Sequence, residues 1–157
     1  MHVSGRREQI TAEIRQRTGI DEQLIRQVVH AFYGRIQEDA VLAPIFDARI
    51  VDWDVHLERM CAFWSSVALM TGRYHGRPME KHLPLPVDAR HFDRWLAIFE
   101  ETVRQLCNPE ASEHFIDRAR RIAESLELGI AGQAGVLLPK GERFLRGSTE
   151  CVTATSR

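Results

Sequence analysis

Between Gly72 and Val87 the chain has room for no more than one turn of helix. Gly76, Pro78, Pro84 and Pro86 crowd this stretch, and each proline fixes φ and removes a backbone donor. Only residues 79–83 are free to coil. A lone imidazole, His82, stands on that turn with prolines on both sides of it. Core packing does not need so rigid and short a platform, whereas a histidine that must approach a metal at about 2 Å benefits from one. The alternative is an ordinary loop histidine in a proline-rich turn.

The flanking sequence is helical in period. Ile10 and Ile14, four apart, predict a short helix over residues 8–18 that Gly19 ends. Asp21 is suited to cap the next helix, where Leu24, Ile25, Val28, Val29, Phe32 and Ile36 recur on one face to about residue 38. Pro44 limits residues 41–46 to a turn or a single loop of helix. Asp52 caps a third helix to about Thr71, with Gly72 as the stop. From Asp88 the residues Phe92, Trp95, Leu96, Phe99, Val103 and Leu106 form one wide stripe. Asn108 and Pro109 then open a last helix that carries Phe115, Ala119, Ile122, Ala123, Leu126 and Ile130. No strand alternation interrupts the pattern, so the chain is predicted to be all-α, either a bundle or a ligand-enclosing sandwich.

A chain of 157 residues with 44% hydrophobic content supports one domain with a real core. Residues 1–20 are predicted as an extension with the short first helix, 21–131 as the main domain and 132–157 as a largely irregular tail. A formal net charge of −1 provides no field for nucleic acid. No apolar run suits a membrane or a signal core, which predicts a soluble, cytoplasmic protein. Cys61, Cys107 and Cys151 have no C-x-x-C spacing and read as reduced thiols.

On the third helix His56, Met60, Phe63 and Trp64 fall at i, i+4, i+7 and i+8 and share one face. The apolar three also suit plain core, but an imidazole at the mouth of that stripe either reaches solvent or serves a ligand. Tyr33 and Trp95 carry polar tips that need hydrogen-bond partners when buried. His2, His30, His75, His91 and His114 are expected to face solvent.

Phe32 and Tyr33, the turn Ala43, Pro44, Ile45, Phe46, then His56 with Phe63 and Trp64 occur in order. They are followed by Lys81, His82, Leu83, Pro84, Leu85, Pro86 and by Phe92, Asp93, Arg94, Trp95, Leu96, Phe99, Glu100, Glu101. In these motifs residues 21–131 resemble the group III truncated haemoglobins. The resemblance implies a two-over-two helical sandwich enclosing haem b, with His82 as the proximal ligand of the iron. It also implies Tyr33, His56 and Trp95 as distal polar residues around O₂, CO or NO, and Phe32, Phe46, Met60, Phe63 and Trp64 as haem walls. Arg77 and Lys81, with Arg73 and Arg94, are candidates by charge and location for the haem propionates.

Donors at Tyr33 and Trp95 would retard O₂ release, which favours chemistry on oxygen, nitric oxide or peroxide over bulk oxygen transport and calls for an unidentified reductase. The activity would be nitric oxide dioxygenase-like or peroxidase-like. His56 has four candidate roles: gate, hydrogen-bond partner of the ligand, acid–base group, or direct ligand of the iron. A gas or redox sensor signalling through residues 132–157, a haem-free helical interaction module, and a zinc site from His75, His82 and His91 are the competing expectations.

Overall fold

The computed structural model describes residues 3–147, and every regular element among them is a helix. In chain order these are α1 (Val3–Thr18), α2 (Glu22–Glu38), α3 (Ala43–Asp47), α4 (Trp53–Leu69), α5 (Pro78–His82), α6 (Ala89–Leu106) and α7 (Pro109–Gln133). The four long helices α2, α4, α6 and α7 form two antiparallel layers. α2 lies on α4 and α6 on α7, and α2·α6 and α4·α7 contacts join the pairs. This is the expected two-over-two sandwich, with α1 laid across α4 and α7.

The expected caps are present in geometry as well as in sequence. Asp21 accepts from the Leu24 amide at 2.8 Å, Asp52 from Val55 at 3.2 Å and Asn108 from Ala111 at 2.8 Å, each contributing about 1 kcal/mol to its helix. Asn108 also donates through Nδ2 to the Thr18 carbonyl at 3.1 Å, which joins the end of α1 to the start of α7. Two boundaries move. α1 starts at Val3 rather than residue 8, because the preceding polar residues contain no proline to stop a surface helix. α4 ends at Leu69, two residues early, because Met70 adopts the left-handed conformation (φ 60°) before Gly72 (φ 74°) does.

Between the layers the aromatic side chains are stacked. Trp64 and Phe99 lie 4.8 Å apart at 15°, Trp95 and Phe99 5.7 Å apart at 5°, and Phe32 meets Trp95 edge-on at 5.4 Å. Such rings fix spacing as well as burying area. A second apolar cluster, Val87, Phe92, Leu126, Ile130 and Phe144, lies at the other end of the α6–α7 pair.

The described residues that follow α7 pack onto the helical body through Phe144. Helix α7 continues to Gln133, and beyond it Phe144 is only 3% exposed. Arg143 donates to both oxygens of the buried Glu127, and the Phe144 amide donates to Glu127 at 3.0 Å. Apolar periodicity cannot register this packing, because a buried carboxylate and its arginine lie outside any hydrophobic stripe. Cys151 and the Ser/Thr-rich end lie outside the described residues.

Two buried carboxylates tie loops to helices. Asp39 receives Arg94 of α6 (2.7 Å) and the amides of Val41 and Leu42. The Arg94 bond is the main reason its carboxyl sits below the usual range, against the opposing effect of burial. Burial likewise opposes the charge on Asp88, but bonds from Arg90 and the Arg146 amide outweigh it and hold Asp88 far below that range. Carboxyls depressed in the folded state contribute stability above the unfolded value of about 3.9, and it is lost as pH falls through the folded values. The urea midpoint of the wild type is therefore expected to drop between about pH 5 and pH 2. Asp39→Asn and Asp88→Asn are expected to be less stable at neutral pH and to show a shallower acid fall.

Candidate functional site

His82 ends the five-residue helix α5. Its Nδ1 lies 2.6 Å from the Pro78 carbonyl oxygen. A carbonyl only accepts, so Nδ1 carries the proton and the Nε2 lone pair is left free. Burial, opposed by the Pro78 bond and aided by Lys81, lowers the affinity of the ring for a second proton. A neutral imidazole with one nitrogen tied to a carbonyl is the arrangement a metal-binding histidine requires.

His82 lines a cavity of about 720 Å³ that also takes in Tyr33, His56, Met60, Phe63, Trp64 and Trp95. The motifs of three long helices and the proline-bracketed turn thus converge on one space. Phe46 of α3 and Lys81 of α5 also border it.

Two polar groups that face this apolar space, His56 Nε2 and the Tyr33 hydroxyl, have no protein partner among the described residues. His56 Nε2 is buried with no hydrogen bond. Its ring stands edge-on against Tyr33 (5.0 Å, 88°) and Trp53 (5.6 Å, 87°). Burial foremost, then the charges of Arg59, His82 and Lys81, push its pKa down to about 4. The Tyr33 phenol is raised far above its ordinary value by burial alone, with no hydrogen bond contributing. A buried polar atom without a partner costs about 1–3 kcal/mol, so the cavity is built for something that completes these bonds.

Comparison with known proteins identifies that occupant by family. The family model described as bacterial-like globin matches residues 15–127. The chain is 32% identical over 113 residues to the group 3 truncated hemoglobin ctb of Campylobacter jejuni, covering 69% of this chain and 89% of the relative. The crystal structure of the group III truncated hemoglobin from that organism superposes with a TM-score of 0.65 at 32% identity over the same shares. The group 2 truncated hemoglobin YjbI of Bacillus subtilis is 27% identical over 86 residues, 54% of this chain and 65% of the relative. The chain belongs to the group III truncated haemoglobins.

Globins bind haem, and the cavity of this globin fits it. Walls of Ile45, Leu85, Phe92, Ile122 and Leu126 supply apolar faces. His82 presents a free nitrogen, and the unpaired His56 Nε2 supplies a polar counterpart. Arg49, Arg59 and Lys81 border the space and provide cations for an anionic edge.

Four of the candidate residues, Phe32, Arg73, Arg77 and Arg94, do not border the cavity. Phe32 is fully buried and sits one layer behind it, edge-on to Tyr33 at 4.9 Å and Phe99 at 5.2 Å. Neighbours on a helix point about 100° apart, so with Tyr33 turned to the cavity Phe32 turns to the core. Arg77 is exposed and pairs with Glu80 at 3.2 Å. Arg73 pairs with Glu22 and Arg94 with Asp39, and none of the three borders the cavity.

Other residues escaped the sequence reading. Phe92, Ile122, Ala123 and Leu126 line the cavity but sit in stripes indistinguishable from core. His91, expected at the surface, also lines it and accepts the Asp88 amide through Nδ1 at 3.0 Å to complete the α6 cap. His114 is partly buried, with Nε2 2.8 Å from the Ala68 carbonyl oxygen. Among the described residues no three histidine, cysteine or carboxylate side chains gather to hold a metal, so His75, His82 and His91 do not converge. No described helix is long and apolar enough to cross a membrane.

The depressed His56 has a measurable consequence in the haem-free protein. Between its unfolded value of about 6.5 and its folded value of about 4, the unfolded chain takes up a proton that the folded chain refuses. Stability is expected to fall as pH drops through this window, by at most ~1.4 kcal/mol per pH unit for one group. His56→Leu is expected to flatten the slope in urea unfolding, and the remaining slope belongs to His82 and His114, which burial also depresses, joined below about pH 5 by Asp39 and Asp88.

Proposed function

We propose that this globin holds haem b through His82 Nε2 and presents Tyr33, Trp95 and His56 to a diatomic gas, for chemistry on oxygen, nitric oxide or peroxide. The observation that carries this reading is a single cavity holding one imidazole with a tied Nδ1 and a second, buried imidazole with an orphaned Nε2. When bound, haem supplies the iron that holds the gas and exchanges electrons.

The residues of the chain divide the remaining work. Pro78 keeps the proton on His82 Nδ1 and so keeps Nε2 available for the iron. Lys81, Arg49 and Arg59 bordering the cavity, in place of the outward Arg77, receive the propionates. The Tyr33 hydroxyl stays protonated at any ordinary pH because burial opposes its ionisation, which makes it a donor. The Trp95 indole can only donate. His56, neutral at pH 7, carries one proton and one lone pair, so it can either donate to the gas or accept a proton from a peroxide.

Donors directed at a gas that gains negative character stabilise O₂ more than CO, by about 1.5–3 kcal/mol for each charge-assisted bond. Slow release of O₂ suits turnover of the held gas better than delivery, and turnover requires a reductase to return the iron to the ferrous state.

His82→Ala is expected to abolish the haem absorption spectrum of the purified protein, or to convert it to that of loosely held haem. An unchanged spectrum would remove His82 from its role. Tyr33→Phe is expected to speed O₂ dissociation in stopped flow by about tenfold or more with little change for CO, and equal rates in variant and wild type would discard the donor assignment.

A further inference from the structure

The family match ends at residue 127, yet the chain beyond it returns to the turn that bears His82. Arg146 donates through Nε to the Val87 carbonyl at 3.0 Å and through Nη2 to the Leu85 carbonyl at 3.2 Å. Its backbone amide donates to Asp88 Oδ2 at 3.1 Å. The Leu85 amide in turn donates to the His82 carbonyl at 3.0 Å. One guanidinium therefore grips the segment that leaves His82 at two carbonyls, and one further hydrogen bond connects it to His82 itself.

The neighbouring residues anchor this grip to the helices. The Phe144 carbonyl accepts the Ala89 amide at 2.7 Å. Its ring, under the Arg146 guanidinium at 5.0 Å, packs in the cluster with Val87, Phe92 and Leu126, three residues whose other side lines the cavity. Arg143 joins Glu127 of α7 to Asp93 of α6 and also reaches the Ala89 carbonyl at 3.3 Å. Glu127 is 5% exposed, and among the described residues the hydrogen bonds to its carboxylate come from Arg143 and the Phe144 amide. A carboxylate buried on α7 whose partners among the described residues are Arg143 and the Phe144 amide ties the body of the fold to this segment, since an unpaired charge there would be strongly destabilising.

We propose that residues 143–146 form a clamp on the proximal side, in which Arg146 is a positioning residue that holds the 83–88 segment and thereby sets the orientation of His82 toward the iron. The proposal rests on the reading of His82 as the haem ligand. A five-residue helix cannot hold its own geometry, and hydrogen bonds that hold a ligating histidine and its backbone in place tune both metal affinity and ligand orientation.

Arg146→Ala tests it in the full chain, with Arg146→Lys as the conservative variant and Thr11→Val as a control that removes a hydrogen bond between α1 and the end of α4. In the ferrous, gas-free protein the iron–imidazole stretching frequency is expected to shift or broaden in Arg146→Ala. Haem loss to an excess of haem-scavenging apoglobin is expected to accelerate by about tenfold or more. Lysine, which can satisfy one carbonyl, is expected to restore part of each effect, and Thr11→Val to change neither.

Wild-type frequency and haem loss in Arg146→Ala would overturn the clamp while leaving His82 as ligand. An equal change in Thr11→Val would overturn it as general destabilisation. If Arg146→Ala fails to fold, Phe144→Leu, nearly conservative in volume, is expected to show the same shift in smaller measure. Should the wild type prove to have no iron–His82 bond, the reading of His82 fails separately. Hydrogen exchange of residues 83–89 in the haem-free protein then decides the clamp: faster exchange in Arg146→Ala supports it and unchanged exchange removes it.

Discussion

The hydrogen bond between His82 Nδ1 and the Pro78 carbonyl is where the chemistry of this globin and its backbone meet. It places the ring proton away from the free nitrogen, and it closes within one turn of helix, so the imidazole is oriented by residues four apart. A turn this short has too few internal bonds to persist alone, and its stability has to come from outside. The structure supplies it from several directions. Gly129 of α7 leaves the space that Met79 and Leu83 occupy, where a Cβ would collide with the Met79 sulfur. Arg49 donates to the Pro84 carbonyl at 3.2 Å, and Arg146 takes the carbonyls of Leu85 and Val87. Each donor or gap belongs to a different part of the chain, so the turn that bears His82 is held by the tertiary structure.

The rest of the cavity is stiff for another reason. Trp95, Phe99 and Trp64 stack in near-parallel planes, and Phe32 closes against two of them edge-on or behind Tyr33. Close-packed rings resist the inward collapse by which an apolar cavity would otherwise reduce its cost. The same stiffness keeps the His56 nitrogen and the Tyr33 hydroxyl apart from protein partners. The cavity walls are rigid, and these two groups stay without a protein partner inside them.

Helix starts were legible from residue identity because a cap is a local event. Asp21, Asp52 and Asn108 each bond an amide three residues on, and nothing distant is needed to form that bond. The proline-bracketed turn was legible for the same reason, since a proline constrains its own φ whatever surrounds it. Candidate site residues stood out where a polar tip interrupts an apolar pattern, as at Tyr33, His56 and Trp95, and all three line the cavity. Purely apolar lining was not, because Phe92, Ile122 and Leu126 carry no mark that separates a wall from a core.

The sequence alone determined an all-helical chain, its breaks, and the histidine held between prolines, because each follows from interactions within a few residues. Tertiary structure decided which charges are free and which are spent. Arg77 and Lys81 are near neighbours in sequence, yet Arg77 pairs outward with Glu80 while Lys81 borders the cavity. It also decided that a glycine-containing segment after α7 returns to the turn that bears His82, with Arg143 answering a buried Glu127. Pairing across long separations depends on where helices bring their ends together, and no local pattern of residues encodes that meeting.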